Sequence, residues 1–320
     1  MLVTVNMRDF KHFGLKRRYY PSCNYNAYWA NLTTIRLGEG VASELPCDQS
    51  EFYDVGINTK CNAECPFCYV SASGQGINYP DICETWEKWM ENFWEIQENG
   101  ITKTNKPFQI AIGSTGEPTI HPEFCRFLRI VYQTNVVPNY TTNGILLSRA
   151  FDPTHPDYHK AVEILKATRK YVGGVAVSFS NKGLRDKAKL AVEVLLAFGD
   201  CKVNIHHLIS DKKSVDEFVD VVGYYGNKIA YHVLLPLMPS GRSTKGVEEG
   251  VFEYLEERIQ TLDIKNVAFG AHFIKDLRDS KIKTWLYDEQ SFSKNIILTK
   301  DLVQITPSSF DLNPIMKIEL

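Results

Sequence analysis

The chain has 320 residues, 44% hydrophobic and 23% charged, with a formal net charge of −2. That balance excludes a mostly disordered polypeptide and a global electrostatic footprint for nucleic acid or anionic membrane, leaving only a local patch open. No run approaches the ~20 apolar residues of a membrane span. The first residues lack the apolar stretch and small-residue cleavage site of a secretory signal, so the chain reads as cytoplasmic.

The first 50 residues are irregular and rich in aromatic and basic residues: between Met1 and Arg36, Arg8, Lys11, Lys16, Arg17, Arg18 and Arg36 stand against the single acid Asp9. From Glu51 the pattern changes to short β-like runs alternating with amphipathic helical ones. The first strand is expected over Glu51–Asn58, and a helix over Asp81–Glu98, where Ile82, Trp86, Trp89, Met90, Phe93 and Ile96 recur at helical spacing. Strands then follow at Phe108–Gly113, Asn135–Thr142, Val172–Ser180, Cys201–Ser210 and Lys228–Leu237. Helices intervene near Pro122–Gln133, His155–Tyr171 and Lys182–Phe198, and one opens at Ser214, where Ser214 and Glu217 have capping-box spacing. A last helix, Glu248–Leu262, precedes the β-like run Asn266–Phe273. Asn295–Phe310 reads as a hairpin turning at Thr299–Asp301.

Six βα units imply a parallel sheet covered by helices. They are too few for a closed eight-stranded barrel. The expected fold is α/β, a partial (β/α)6 TIM-like barrel with an irregular N-terminal segment and a small C-terminal hairpin; a doubly wound sheet is the competitor. The expected division is an arm at 1–50, a core at 51–245 and a helix-and-hairpin extension at 246–320.

The chain has eight cysteines, and Cys61, Cys65 and Cys68 fall on one short segment just after the first strand, Cys61-Asn-Ala-Glu-Cys65-Pro-Phe-Cys68. In a chain without an export signal such a cluster points to metal ligation rather than disulfides. Structural zinc and conventional iron–sulfur carriers take four ligands, and no fourth lies close in sequence. Three thiolates on a cluster of four irons leave one iron open, which is where chemistry occurs.

This segment resembles the CxxxCxxC signature of the radical S-adenosylmethionine (SAM) superfamily. Further matches follow in order. Gly113-Ser-Thr-Gly116-Glu117-Pro118 resembles that family's Gly-Gly-Glu-Pro motif, with Thr115 in place of the first glycine; Thr141-Thr142-Asn143-Gly144 resembles its Thr-Asn-Gly segment. Val177–Ser180 matches the ribose-contacting position, and Leu234–Met238 the adenine-contacting one. The resemblance covers about Glu51–Ser240. It implies that Cys61, Cys65 and Cys68 hold a [4Fe–4S] cluster whose open iron is chelated by SAM. It further implies that Glu117 accepts the SAM ammonium group, that Gly116 allows a close backbone approach, and that Thr142 and Asn143 take part in the site. Phe67 would pack near the adenine with Met238, and Ser178 would bond the ribose. The implied activity is reductive cleavage of SAM to a 5′-deoxyadenosyl radical, which abstracts a substrate hydrogen. An external one-electron reductant, flavodoxin- or ferredoxin-like, is then required.

Each residue also has an ordinary reading. Glu117 would cap the turn at Pro118, Asn143-Gly144 would make a simple turn, and Met238 would fill the core. One of His206 and His207 should face the barrel interior, because side chains alternate along a strand. Arg242 is either a bidentate anion ligand or a surface residue. Cys23 or Cys47 is a weak candidate for a hydrogen-donating thiol. Tyr19, Tyr20, Tyr25, Tyr28 and Trp29 could lie along a nucleic acid strand or pack over the barrel. No cysteine follows Cys201, so an auxiliary cluster is not expected; in outline the hairpin resembles such an extension, with Ser308 and Ser309 in the place of a cysteine. The substrate stays open between a peptide or protein side chain and a nucleotide or nucleic acid base. The alternative function is a non-catalytic Fe–S or zinc-binding interaction module.

Overall fold

The computed structural model describes residues 18–20, 25–27, 35–37, 52–98, 101–107, 109–262, 266–273, 276–277, 280–282, 284–285, 293–306 and 313–320. Three short strands come first: β1 (Arg18–Tyr20), β2 (Tyr25–Ala27) and β3 (Ile35–Leu37). Then follow β4 (Phe52–Gly56), α1 (Ile82–Met90), β5 (Glu95–Glu98), β6 (Ile101–Thr104), β7 (Gln109–Ile112), α2 (Phe124–Gln133) and β8 (Val137–Thr142). The chain continues through α3 (Tyr158–Tyr171), β9 (Gly174–Ser178), α4 (Arg185–Phe198), β10 (Lys202–Ile209), α5 (Lys212–Tyr225), β11 (Tyr231–Pro236) and α6 (Val251–Gln260). It ends with β12 (Val267–Phe269), β13 (Thr284–Trp285), β14 (Ser293–Thr299), β15 (Leu302–Thr306) and β16 (Met316–Glu319).

The six expected strands lie side by side in chain order, β4-β7-β8-β9-β10-β11, and all neighbouring pairs are parallel. Strand β12 extends the row in parallel beside β11, and β14 does so beside β4. Those two outer parallel strands are flanked by antiparallel neighbours, β3 beyond β12 and β15 beyond β14, so among the described residues the barrel stays open. The C-terminal hairpin is present, and its first strand is also the parallel neighbour of β4. A four-stranded sheet, β2-β1-β6-β5, lies apart from this row.

Helices α1–α4 pack on the sheet through a core that includes the edge-on aromatic series Trp86, Trp89, Phe93 and Phe127. A second core, around Phe218, Leu255, Phe269 and Phe273, joins α5 and α6 to β11 and β12.

Two local expectations change. The helix expected over Asp81–Glu98 ends at Met90, and Glu95–Glu98 instead pairs with Ile101–Thr104 as a hairpin. Ile96, although at helical spacing, is 53% exposed, so no core face holds that continuation. The Asn99-Gly100 pair between the two strands was the available hairpin signal. The capping box of α5 is formed by Asp211 and Ser214 rather than by Ser214 and Glu217. Asp211 accepts from the Ser214 N–H at 2.7 Å while the Ser214 hydroxyl lies 3.1 Å from the Asp211 N–H. Glu217 turns outward to pair with Arg185 and Lys182. Among the described residues no helix is long and apolar enough to cross a membrane.

Candidate active site

The carboxyl ends of the parallel strands carry the loops that matter, as expected for an α/β barrel. They surround a cavity of about 430 Å3. Cys61, Cys65, Phe67 and Cys68 line it from the loop after β4, Gly116 and Glu117 from the loop after β7, Thr142 and Asn143 at the end of β8, Ser178 at the end of β9, and Met238 beyond β11. Of the Leu234–Met238 run, Leu235, Pro236, Leu237 and Met238 line the cavity. Leu234 points the other way, fully buried in the second core, because successive strand residues face opposite sides. The same alternation separates the two histidines of β10. His206 lines the cavity, whereas His207 bonds His232 at 3.2 Å beneath Phe218. Burial pushes His206 down to about 4, His207 well below its ordinary value, and His232 down to about 4.

Glu117 is 3% exposed and accepts four hydrogen bonds from the protein. Its Oε1 accepts from the Thr119 hydroxyl (2.5 Å), the Thr119 N–H (3.2 Å) and the Thr142 hydroxyl (2.8 Å). Its Oε2 accepts from the Asn143 N–H at 2.8 Å. Capping of the turn at Pro118–Ile120 is thus one of its tasks. Burial raises its pKa, and these four bonds oppose the rise. Asn143 shapes its own turn by accepting from the Ile145 N–H, and its amide reaches toward the Cys61 sulfur (3.9 Å) and the Asn62 side chain (2.8 Å).

Thr115, where the resemblance expects glycine, packs on Gly56 and donates its hydroxyl to the Asn58 carbonyl at 2.6 Å. Gly116 has no such latitude: a Cβ there would lie 2.6–2.7 Å from Asn58 and Lys60 oxygens. The close approach is therefore to the chain leaving β4, which ties the Glu117 loop to the cysteine loop. The Glu117 N–H donates to the Lys60 carbonyl at 2.9 Å, completing that link.

The cysteine loop is also held from the other side. Arg242 is half-buried and bound to backbone rather than free on the surface. Its Nε donates to the Cys65 carbonyl and its Nη1 to the Ala72 carbonyl, both at 2.8 Å. The Arg242 N–H donates to the Cys68 carbonyl at 2.9 Å, and the Ser240 hydroxyl to the Tyr69 carbonyl at 3.1 Å. Gly241 sits between them at φ +61°, where a Cβ would stand 2.3 Å from the Cys68 oxygen. A guanidinium is a natural clasp for two carbonyls, but its targets lie some 170 residues away in sequence, so only the folded chain reveals them.

Sulfur chemistry fits metal ligation. Asn181 donates its amide to the Cys65 sulfur at 3.2 Å, a contact that favours the thiolate. Burial pushes the Cys61 thiol up to about 11 and raises that of Cys65. Such thiols stay protonated until a cation displaces the proton. Among the described residues, no three His, Cys, Asp or Glu side chains converge on a single-ion site. Cys83, Cys125 and Cys201 lie elsewhere, with thiols pushed up by burial. Cys23, Cys47, Tyr28, Trp29, Ser308 and Ser309 fall outside the described residues, as do the side chains of Tyr19, Tyr20 and Tyr25.

Asp54 is among the lining residues not singled out from the sequence. Asp54, in the middle of β4, is half-buried at the cavity wall, and burial pushes its carboxyl up to about 7. Its signal was an acid inside an apolar strand, Phe-Tyr-Asp-Val-Gly, which is costly unless the strand faces something polar.

No family model matches the chain, and no curated protein matches it. Solved structures do. SuiB of Streptococcus suis bound to its precursor peptide SuiA superposes with a TM-score of 0.57 at 14% identity, over 82% of this chain and 60% of SuiB. SuiB bound to S-adenosylmethionine gives a TM-score of 0.53 at 13% identity, over 81% and 60%. The protein anSMEcpe with bound AdoMet gives 0.51 at 15% identity, over 81% of this chain and 72% of that one. The chain shares the fold of these SAM-bound proteins and spans about 60% of the length of SuiB.

Proposed function

We propose that this chain is a radical SAM enzyme in which Cys61, Cys65 and Cys68 hold a [4Fe–4S] cluster, with SAM bound beside it. One observation carries the reading: the three cysteines of a single loop share one cavity with Glu117 and Asn143 at the carboxyl ends of the parallel strands. The donor set suits a three-thiolate cluster, since two side-chain amides reach toward its sulfurs. The fold shared with SAM-bound proteins supports the same reading.

When bound, the cluster and SAM supply reductive cleavage of the sulfonium and a 5′-deoxyadenosyl radical that takes a hydrogen from the substrate. The chain itself binds, orients and excludes water. Asn181 and Asn143 steady the Cys65 and Cys61 sulfurs, and Arg242 fixes the loop that bears them. Glu117 Oε2 takes only one protein donor, leaving acceptor capacity for the SAM ammonium group. Phe67 and Met238 offer apolar surface for the adenine, and Ser178 a hydroxyl for the ribose. Leu208, Leu235, Leu237 and Phe269 form a dry wall around the space where hydrogen transfer would occur. Residues 51–245 form the catalytic core in this reading, and a flavodoxin- or ferredoxin-like protein supplies the electron.

For the substrate, a peptide or protein side chain is favoured over a nucleotide. The fold is shared with a protein solved with its precursor peptide, and among the described residues no Lys or Arg lines the cavity to meet a phosphate. The test is 5′-deoxyadenosine formation from SAM by anaerobically reconstituted, dithionite-reduced protein, with Cys65→Ala as control. Formation by the wild type alone is expected. A reducible cluster in the wild type without any SAM binding would overturn the reading.

A further inference from the structure

The lower part of the cavity has a chemistry that neither the cluster nor SAM accounts for. Asp54 stands in register with Asn295 of β14 on one side and with Ala111 of β7 on the other, and all three line the cavity. Among the described residues no side chain or backbone group bonds the Asp54 carboxylate. Asn295 is 1% exposed; its Nδ2 is used by the Thr306 hydroxyl at 2.8 Å, while its Oδ1 has no partner. The row continues to Asn139 of β8, fully buried, whose Nδ2 is fixed by the Gln109 side chain and the Ile110 carbonyl. Its Oδ1 is likewise unpaired but faces Gly174 of β9, and Asn139 does not line the cavity, so the floor open to an occupant is Asp54 and Asn295. Buried acceptors without donors are rare in folded proteins and call for an occupant that donates.

The charges point the same way. Among the described residues the lining contains two carboxylates, Asp54 and Glu117, and no Lys or Arg. Glu117 is surrounded by four protein donors, and Asp54 by none. Ala111, the smallest side chain that keeps a Cβ, leaves space beside Asp54 where a larger residue would close the row. An anionic group entering this floor would meet only acceptors, and a purely apolar one would leave Asp54 bare.

We propose that the floor formed by Asp54 and Asn295 is the substrate-recognition subsite, and that it receives a primary or secondary ammonium group of the substrate. This rests on the reading of the cavity as the place where the substrate is held. An amine-bearing side chain or small amine would enter past the cysteine rim and anchor below it, so that carbons next to the ammonium group lie in the cavity between floor and rim.

The test uses the full chain, reconstituted without oxygen, at about pH 8, where an alkylamine is protonated and a carboxylate probe ionised. n-Butylamine, butan-1-ol and butanoate are titrated against the wild type by calorimetry, with and without SAM. The expected result is saturable binding of n-butylamine at least about tenfold tighter than of the other two, a difference ~1.4 kcal/mol corresponds to. Asp54→Asn, checked for a normal melting transition, is expected to lose that preference. SAM is expected to bind the wild type equally well with the amine present. Equal binding of the three probes, or no saturable binding, overturns the proposal whatever the variant does. Competition between amine and SAM also overturns it, because the amine would then occupy the place of SAM's own ammonium. Failure of SAM to bind at all would count against the radical SAM reading while leaving the probe comparison readable.

Discussion

The rim and the floor of the cavity each carry one carboxylate, and the fold treats them in opposite ways. Glu117, at the rim, is wrapped by two hydroxyls and two backbone N–H groups, so its position is set before any ligand arrives. Asp54, on the floor, is left with no protein donor, and its carboxyl is pushed up to about 7 by burial alone. A carboxylate that the protein satisfies is preorganised; one that it leaves bare waits for a partner. The difference shows which part of the site the fold finishes and which part it leaves to the substrate.

Removing the satisfied carboxylate should have the largest effect. Glu117→Ala strands the Thr119 and Thr142 hydroxyls and the Asn143 N–H inside the protein, and a loss of about 3–5 kcal/mol is expected in urea unfolding. A loss below about 1 kcal/mol would mean that water replaces the side chain and that the rim is not preorganised. Next comes the clasp on the cysteine loop. Gly241→Ala combines a left-handed φ with a Cβ 2.3 Å from the Cys68 carbonyl. It should cost about 2–3 kcal/mol and lower the iron and sulfide retained after reconstitution. Full iron content in this variant would show that Arg242 and Gly241 do not position the thiols.

The floor should behave in the reverse sense. The folded-state pKa of Asp54 is raised from 3.8 to about 7, so the folded chain binds more protons than the unfolded one between those values. Stability from this group therefore falls as pH rises through that window. Asp54→Asn should stabilise the protein by about 1–3 kcal/mol at pH 8 and by less at pH 5. A destabilising Asp54→Asn at pH 8 would contradict a bare carboxylate. The smallest effect belongs to the histidine pair outside the cavity, which has the opposite slope. His232 is depressed from 6.5 to about 4 and His207 further, so stability is lost as pH falls from about 6.5 toward about 4. His207→Leu should flatten that acid limb by about 1 kcal/mol and leave the alkaline limb unchanged. Melting temperatures across pH for the two variants separate the contributions.

Much of the rim was legible in the sequence, because its chemistry is written locally. Cys61, Cys65 and Cys68 occupy one segment, and the Gly113–Pro118 and Thr141–Gly144 motifs each follow a strand whose apolar run is visible. Alternation along β10 was enough to say that only one of His206 and His207 faces inward. The residues missed depend on distant partners. Arg242 clasps carbonyls of the cysteine loop from the far end of the row of strands, and Asn181 meets Cys65 across 116 positions. The β5–β6 hairpin was hidden because Phe93 and Ile96 continue a helical period, although only Phe93 packs on the core and Ile96 is exposed.

The sequence by itself determined the succession of strands and helices and the segments that carry the cysteines and the Gly113–Pro118 and Thr141–Gly144 motifs, since periodicity and motif spacing are short-range properties. Tertiary structure alone decided that β14 returns to pair with β4 and brings Asn295 beside Asp54. It also decided that, among the described residues, Glu117 takes four protein donors while Asp54 takes none. Those outcomes depend on which strand lies next to which, and on whether a donor from a remote loop reaches a buried oxygen, and no local pattern of residues encodes either.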